Sequence, residues 1–223
     1  MKTREELVAG YDRLALEYAA HYCDELDREP FDRSLLRRFA ETGPDGTVCD
    51  LGCGPGHIAA YLDELGTPVI GVDLSPHMVA EARRRYPNID FQVGDMLDLP
   101  FETASVAGIV AFYSIIHLKP AELGGAFREM YRVLRPGGLV AVKFHKGQGD
   151  VSMEDVWGTG VTFSCTLFEP EQVLSAVEQA LLRTLETTVR WTYEGEDSTQ
   201  SAYVLAEKPP TQEPRAEGSA QAE

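Results

Sequence analysis

The stretch Val48-Cys49-Asp50-Leu51-Gly52-Cys53-Gly54-Pro55-Gly56 restricts this 223-residue chain more than any other. Thr47 to Leu51 is a short, mostly apolar run, the length and character of a buried strand. Three glycines follow within five residues, and His57-Ile58-Ala59-Ala60-Tyr61-Leu62 then has the spacing of an amphipathic helix. A strand, a glycine turn and a helix are the parts of a nucleotide-binding βα unit. Glycine accepts positive φ and lets a ligand reach backbone N–H groups without meeting a Cβ. A plain βα turn that binds nothing is the other reading.

The remainder of the chain repeats this alternation. Val69–Asp73, Ile89–Val93, Ser105–Phe112 and Leu139–Phe144 read as further buried strands. Ser75-Pro76 starts a helix to about Tyr86, with serine as N-cap and proline at the first helical position. A helix over 120–134 closes at Arg135-Pro136-Gly137-Gly138, and another covers about 168–180. Residues 147–160 read as a loop, and strands at about 185–192 and 202–206 are joined by a polar hairpin loop. Near-continuous apolar strands alternating with helices predict an α/β fold whose parallel sheet is covered on both faces.

At the N-terminus, Thr3-x-x-Glu6 predicts a capping box for a helix over 4–22. Leu7, Tyr11, Leu14, Tyr18 and Tyr22 share one face of it. That face is either packed by its aromatic rings or is a lid over a ligand at the glycine turn. A second helix covers 30–41. The expected organisation is an N-terminal helical lid over 1–43, a single α/β core over 44–207, and a disordered tail over 208–223 rich in Pro, Glu, Ala and Ser.

Net charge narrows the partners. At −16 the chain lacks the basic surface that a nucleic-acid backbone or an anionic membrane requires. A small-molecule partner fits better, and the acidity itself serves solubility or a salt-adapted host. No apolar run approaches about 18 residues, so no membrane span is expected. Met1 to Glu6 has no apolar signal-peptide region. Cys23, Cys49, Cys53 and Cys165 form no Cys-x-x-Cys pair and read as reduced thiols of a cytoplasmic protein, monomeric or homodimeric.

In doubly wound sheets ligands bind beyond the strand C-termini, at the switch point. The residues that follow strand ends are Gly52 to Gly56, Asp73, Asp95, the segment 112–117, and His145. The glycine pattern is G-x-G-x-G, because position 57 is His. Asp73 follows Gly56 by 17 residues (73 − 56) and can accept both hydroxyls of a ribose. Asp95 can accept from an exocyclic amine, and Leu74 and Met96 can sandwich a flat base. No Gly-Lys-Ser/Thr and no basic residue occur in the turn, which disfavours a triphosphate. These residues describe a site for an adenosine that carries something other than phosphates.

With VCDLGCGPG, VIGVDLS, VGDMLDLPF, AGIVAFYSIIHL and LRPGGLVAVKFH in this order, residues 45–146 resemble the class I S-adenosylmethionine-dependent methyltransferases. The resemblance implies a Rossmann-like, seven-stranded, mostly parallel sheet with an antiparallel last strand and helices on both faces. It implies that Gly52, Gly54 and Gly56 border the methionine part of S-adenosyl-L-methionine, with Asp50, Cys53, His57, Met78 and Gly94 nearby. Asp50 either braces the turn or meets the cofactor's amino group, Cys53 also reads as a small residue that the turn tolerates, and His57 as a cap or packing residue at the helix start. Asp73 would hold the ribose, and Asp95 with Met96 the adenine, next to Leu74. Phe112, Tyr113 and Ser114 would line the donor side, beneath Tyr11 and Tyr18 of the lid.

The implied activity is methyl transfer to oxygen or nitrogen of a small molecule. His117 is the first candidate general base and His145 the second, each also readable as a structural histidine. His21 and Tyr22 end the lid helix within reach of such a pocket. Trp157, Phe163 and Phe168 are candidates for an apolar acceptor wall, and Glu194, Glu196 and Asp197 for binding a cationic amine, with core packing and a solvated loop as their plainer readings. No metal is implied. The alternatives are a dinucleotide-dependent oxidoreductase, which the missing third glycine disfavours, and a non-catalytic protein that binds S-adenosylmethionine.

Overall fold

The computed structural model describes residues 3–193 and 200–211. Nine strands form: β1 (Val48–Leu51), β2 (Val69–Asp73), β3 (Asp90–Val93), β4 (Val106–Phe112), β5 (Leu134–Lys146), β6 (Asp150–Met153), β7 (Phe163–Thr166), β8 (Arg183–Trp191) and β9 (Gln200–Glu207). Seven of them make one sheet in the order β3-β2-β1-β4-β5-β9-β8. β1 to β5 run parallel, while β9 is antiparallel to both of its neighbours.

The helices are α1 (Arg4–Tyr22), α2 (Pro30–Thr42), α3 (His57–Glu64), α4 (Pro76–Arg85), α5 (Leu123–Val133) and α6 (Pro170–Gln179). The sheet is covered on both faces because its strands are apolar on both. Cys49, Leu51, Ile109, Ala111, Val140 and Val142 pack with Phe127, Met130 and Val173 of α5 and α6. The alternate residues Val48, Val110, Leu139 and Ala141 pack with Leu36 and Phe39 of α2 and Ile58 and Leu62 of α3. Burying such side chains contributes roughly 1.5–3 kcal/mol each. No helix among the described residues is long and apolar enough to cross a membrane.

The structure differs from the sequence reading in five places. β5 starts at Leu134, so Arg135-Pro136-Gly137-Gly138 is an irregular entry into the strand, not a helix stop; its register against β4 shifts between Val106 and Gly108. Within the segment read as helix 120–134, Pro120–Glu122 forms a 3-10 turn and α5 follows. The loop 147–160 contains β6, which pairs with β7 in a separate two-stranded sheet; Asp150-Val151-Ser152-Met153 lacks the long apolar run that marks a buried strand. α2, assigned to the lid, is part of the core, with Leu36 and Phe39 buried against the sheet. Lys208, assigned to the tail, is buried and its Nζ donates to the carbonyls of Tyr131 and Leu134, both at 2.8 Å. The rest of the expected disordered tail, from 212 on, lies outside the described residues, as do Glu194, Glu196 and Asp197.

Candidate functional site

A cleft with about 1030 Å³ of space not filled by protein atoms opens at the C-terminal ends of β1 to β4, where the strand order reverses. Gly52 and Gly54 enter it from the turn after β1. Asp73 and Leu74 follow β2, and Met78 reaches in from α4. Gly94, Asp95 and Met96 follow β3. Phe112, Tyr113 and Ser114 end β4, with His117 on the next turn, and Tyr11 and Tyr18 of α1 form the roof.

Sequence fixes these positions locally. Gly52 (φ +75°) and Gly54 (φ +50°) take left-handed backbone that a side chain would strain. A Cβ on Gly52 would stand 2.3 Å from Ser114 Cβ, so Ser114 seals the turn directly. Asp73 holds the turn from the other side: Oδ2 accepts from Gly54 N and Oδ1 from Ser75 N, both at 2.8 Å. Burial raises the Asp73 pKa, and these N–H donors oppose the rise. Ser75 caps α4 through Met78 N at 3.1 Å, and its hydroxyl donates to Asp12 Oδ1 of α1 at 2.5 Å. Asp12 Oδ1 also accepts from His77 N at 3.2 Å, so the start of α4 fastens the roof.

The charged lining gathers at the β3 end. Asp95 accepts from Leu97 N at 2.9 Å and forms an ion pair with Arg4, whose Nη2 lies 3.9 Å from Glu122. The other end is neutral. Tyr11 Oη and His117 Nε2 are 2.6 Å apart. Burial lowers the His117 pKa to about 4 and raises that of Tyr11 far above its usual value, so both are uncharged at neutral pH. Phe163 packs on Tyr11 at 4.6 Å between ring centroids, and Trp157 lies 6.2 Å from Tyr18 and stacks on His21 at 4.1 Å. Tyr22 lies 4.6 Å from Tyr18.

Besides His21, Tyr22, Trp157 and Phe163, which pack beside the roof without lining the cleft, six further expected residues lie outside it. Asp50 is buried behind the turn, where Oδ2 accepts from Ala59 N at 2.9 Å and braces α3; burial raises its pKa to about 7. Cys53 is buried against Gly71 and Phe91. Gly56 is the α3 N-cap, and a Cβ there would meet the Phe91 ring at 2.7 Å. His57 Nε2 bonds Glu25 Oε1 at 2.7 Å, tying the turn 25–27 to α3. His145 stacks on the Tyr113 ring at 4.4 Å. Phe168 belongs to the α6-side core. Gly56 has no side chain to offer, and the other five are committed to packing or to a protein partner, the plainer of the two readings that the sequence allowed for them.

The structure adds lining residues that were not expected at the site: Thr3, the N-cap of α1, Arg4 and Val8 of α1, and Lys119 and Glu122 beyond β4. Arg4 continues the stripe of Leu7, Tyr11 and Tyr18 one turn earlier, so helical spacing was the available signal.

The donor set fits a nucleoside ligand without phosphates. Cβ-free backbone faces carboxylates at the ends of β2 and β3. Ser114 is part of the cleft wall, and its Oγ is buried with no hydrogen-bond partner among the described residues. A buried hydroxyl without a partner is costly unless a ligand satisfies it.

Residues 48–138 match the family model described as a methyltransferase domain. The chain is 34% identical over 142 residues to a malonyl-(acyl-carrier protein) O-methyltransferase of Enterobacter lignolyticus, covering 62% of this chain and 53% of that one. It is 38% identical over 99 residues to a demethylmenaquinone methyltransferase of Beutenbergia cavernae, covering 44% and 40%. The chain thus spans about half or less of the length of these curated relatives. The solved PH0226 protein of Pyrococcus horikoshii shares the fold at a TM-score of 0.68 and 20% identity, over 86% of this chain and 98% of that one.

Proposed function

We propose that this chain, whose core is a class I S-adenosylmethionine-dependent methyltransferase domain, binds S-adenosylmethionine in the cleft and methylates a small molecule at oxygen or nitrogen. The observation that carries the reading is the meeting, around one roofed cleft, of the Gly52–Gly54 turn, the Asp73 and Asp95 carboxylates and Ser114, whose buried hydroxyl has no partner among the described residues.

When bound, the cofactor supplies a sulfonium-activated methyl group for in-line displacement. The chain's own residues then have three tasks. Asp73 and Asp95 offer acceptors to ribose hydroxyls and to an amine, and Gly52 and Gly54 leave room for the amino-acid arm. α1 excludes water, with Tyr11 and Tyr18 covering the turn. Tyr11, Ser114 and His117 orient the acceptor through neutral hydrogen bonds. An imidazole with a pKa near 4 is too weak a base to take a proton from an alcohol. The acceptors that suit it need no base: neutral amines, or oxygens already ionised such as carboxylates and phenolates.

The names of the relatives support methyl transfer in general, and their acceptors differ. Calorimetric titration with S-adenosylmethionine, S-adenosylhomocysteine and NAD tests the donor. Binding of both sulfur compounds without NAD is expected, and binding of neither would end the proposal. Turnover on a panel of amines, carboxylates, phenols and alcohols tests the acceptor, with alcohols expected to be the poorest.

A further inference from the structure

Behind the β4 wall of the cleft lies a buried charge cluster that the binding roles above leave unused. Lys143, near the end of β5, is 1% exposed. Its Nζ donates to Glu29 Oε2 and Asp32 Oδ2, both at 2.5 Å, and both carboxylates are buried. Asp32 Oδ1 accepts from the Tyr203 hydroxyl at 2.7 Å. Taking three charges from water is expensive, and apolar residues of similar volume often fill such a space without loss of stability. A role in fixing one conformation accounts for the cluster better than stability does.

The conformation it touches is that of Tyr113. Its φ of +51° is left-handed, a strained choice for a bulky residue, and such strain persists only where surroundings hold it. Four contacts hold it. Lys143 Nζ lies over its ring at 4.3 Å from the centroid, and His145 stacks on the ring. Its N–H donates to the Lys143 carbonyl at 2.8 Å, and its hydroxyl lies 2.7 Å from Ser201 Oγ, itself fully buried. The turned backbone delivers the next residue, Ser114, onto Gly52, where it joins the cleft wall.

We propose that Lys143, anchored by Glu29 and Asp32, is a positioning residue that holds Tyr113 left-handed and so fixes Ser114 against the Gly52 turn in the ligand wall. The proposal rests on the cofactor reading above. It extends the site to a cluster outside the cleft, contributed by α2, the residue before it, and β5.

The test is a mutant cycle read by S-adenosylhomocysteine titration, with thermal unfolding of the unliganded protein in parallel. Glu29→Gln/Asp32→Asn/Lys143→Met removes the three charges together, so none is stranded. The triple variant is expected to bind about tenfold more weakly than the parent, the size of one lost hydrogen bond. Tyr113→Gly removes the ring that Lys143 holds and frees the backbone, so it is expected to bind about tenfold more weakly by itself, and adding the triple change to it to alter affinity less than about twofold. A triple variant that melts lower but binds within about twofold of the parent makes the cluster purely structural and overturns the proposal. An equal loss in both backgrounds overturns it too, because the effect then bypasses Tyr113. Should the triple variant not fold, Tyr113→Gly binding within about twofold of the parent overturns it alone. If the parent binds no S-adenosylhomocysteine, the cofactor reading falls first and the positioning role with it.

Discussion

The Tyr11 hydroxyl and His117 Nε2, 106 residues apart in sequence, lie 2.6 Å from each other and join α1 to the turn after β4. The contact shuts the roof on the neutral end of the cleft. It also explains why burial acts so strongly on His117: its Nε2 faces a phenol in place of water, and burial disfavours the charged ring.

That environment gives a pH dependence with a definite sign. His117 has a folded pKa of about 4 against an ordinary value of 6.5. Between these values the unfolded chain binds more protons, so the His117 contribution is complete above about pH 6.5 and is lost as pH falls toward 4. Relative to His117→Asn, the parent should lose on the order of 2–3 kcal/mol of unfolding free energy between pH 7 and pH 4. Urea unfolding of both proteins at several pH values measures it, and parallel curves would contradict the burial argument. For the same reason His117 should place no inflection in the pH–rate profile between about 6 and 8.

Gly52 and Gly54 should differ sharply although both have positive φ. A Cβ at position 52 meets Ser114 Cβ at 2.3 Å, whereas at position 54 the nearest atom is Tyr18 Cε1 at 3.8 Å. Gly54→Ala should cost only the left-handed strain, about 1–2 kcal/mol. Gly52→Ala should add overpacking of roughly 1–3 kcal/mol. Chemical denaturation midpoints distinguish the two, and equal losses would contradict the stated packing.

Asp73→Ala should weaken S-adenosylhomocysteine binding by about 1.5–3 kcal/mol, the range for hydrogen bonds to a charged group. It should also lower the melting temperature of the free protein, because the carboxylate holds the N–H groups of Gly54 and Ser75. Titration and melting report the two effects independently. Unchanged affinity would remove Asp73 from the ligand set even if stability fell.

Arg4 competes for Asp95, the acid expected to receive the adenine amine. Both side chains are about one-third exposed, so the pair is worth about 1 kcal/mol or less. Arg4→Ala should therefore tighten S-adenosylhomocysteine binding by no more than about fivefold, and the gain should shrink as salt screens the pair. Weaker binding in the variant would mean that Arg4 contacts the ligand instead of opposing it.

Much of the fold was legible because it is written in local patterns. The Thr3–Glu6 capping box, the Ser75 N-cap and the bounds of β2 were read correctly, since caps and apolar runs act over a few residues. The small β6–β7 sheet and the long β5 were not, since pairing across sequence, and not propensity, makes those strands. Asp73, Asp95, Tyr11 and His117 were picked out by their places after strand ends and on a helical stripe. Lys143, Glu29 and Asp32 were invisible, because a lysine in an apolar strand gives no sign of what it meets.

The sequence alone therefore determined the order of the main-sheet strands and the helices, the backbone freedom at Gly52 and Gly54, and the end of the sheet where a ligand is expected. These follow from periodicity, sterics and the rule that ligands sit beyond parallel strand ends. Tertiary structure decided which side chains reach that space. It turned Asp50, Cys53, His57 and His145 to protein partners, brought Arg4 to Asp95, and set Tyr11 on His117. The physical reason is that a side chain's direction, burial and charge state depend on neighbours distant in sequence, and these exist only once the chain has folded.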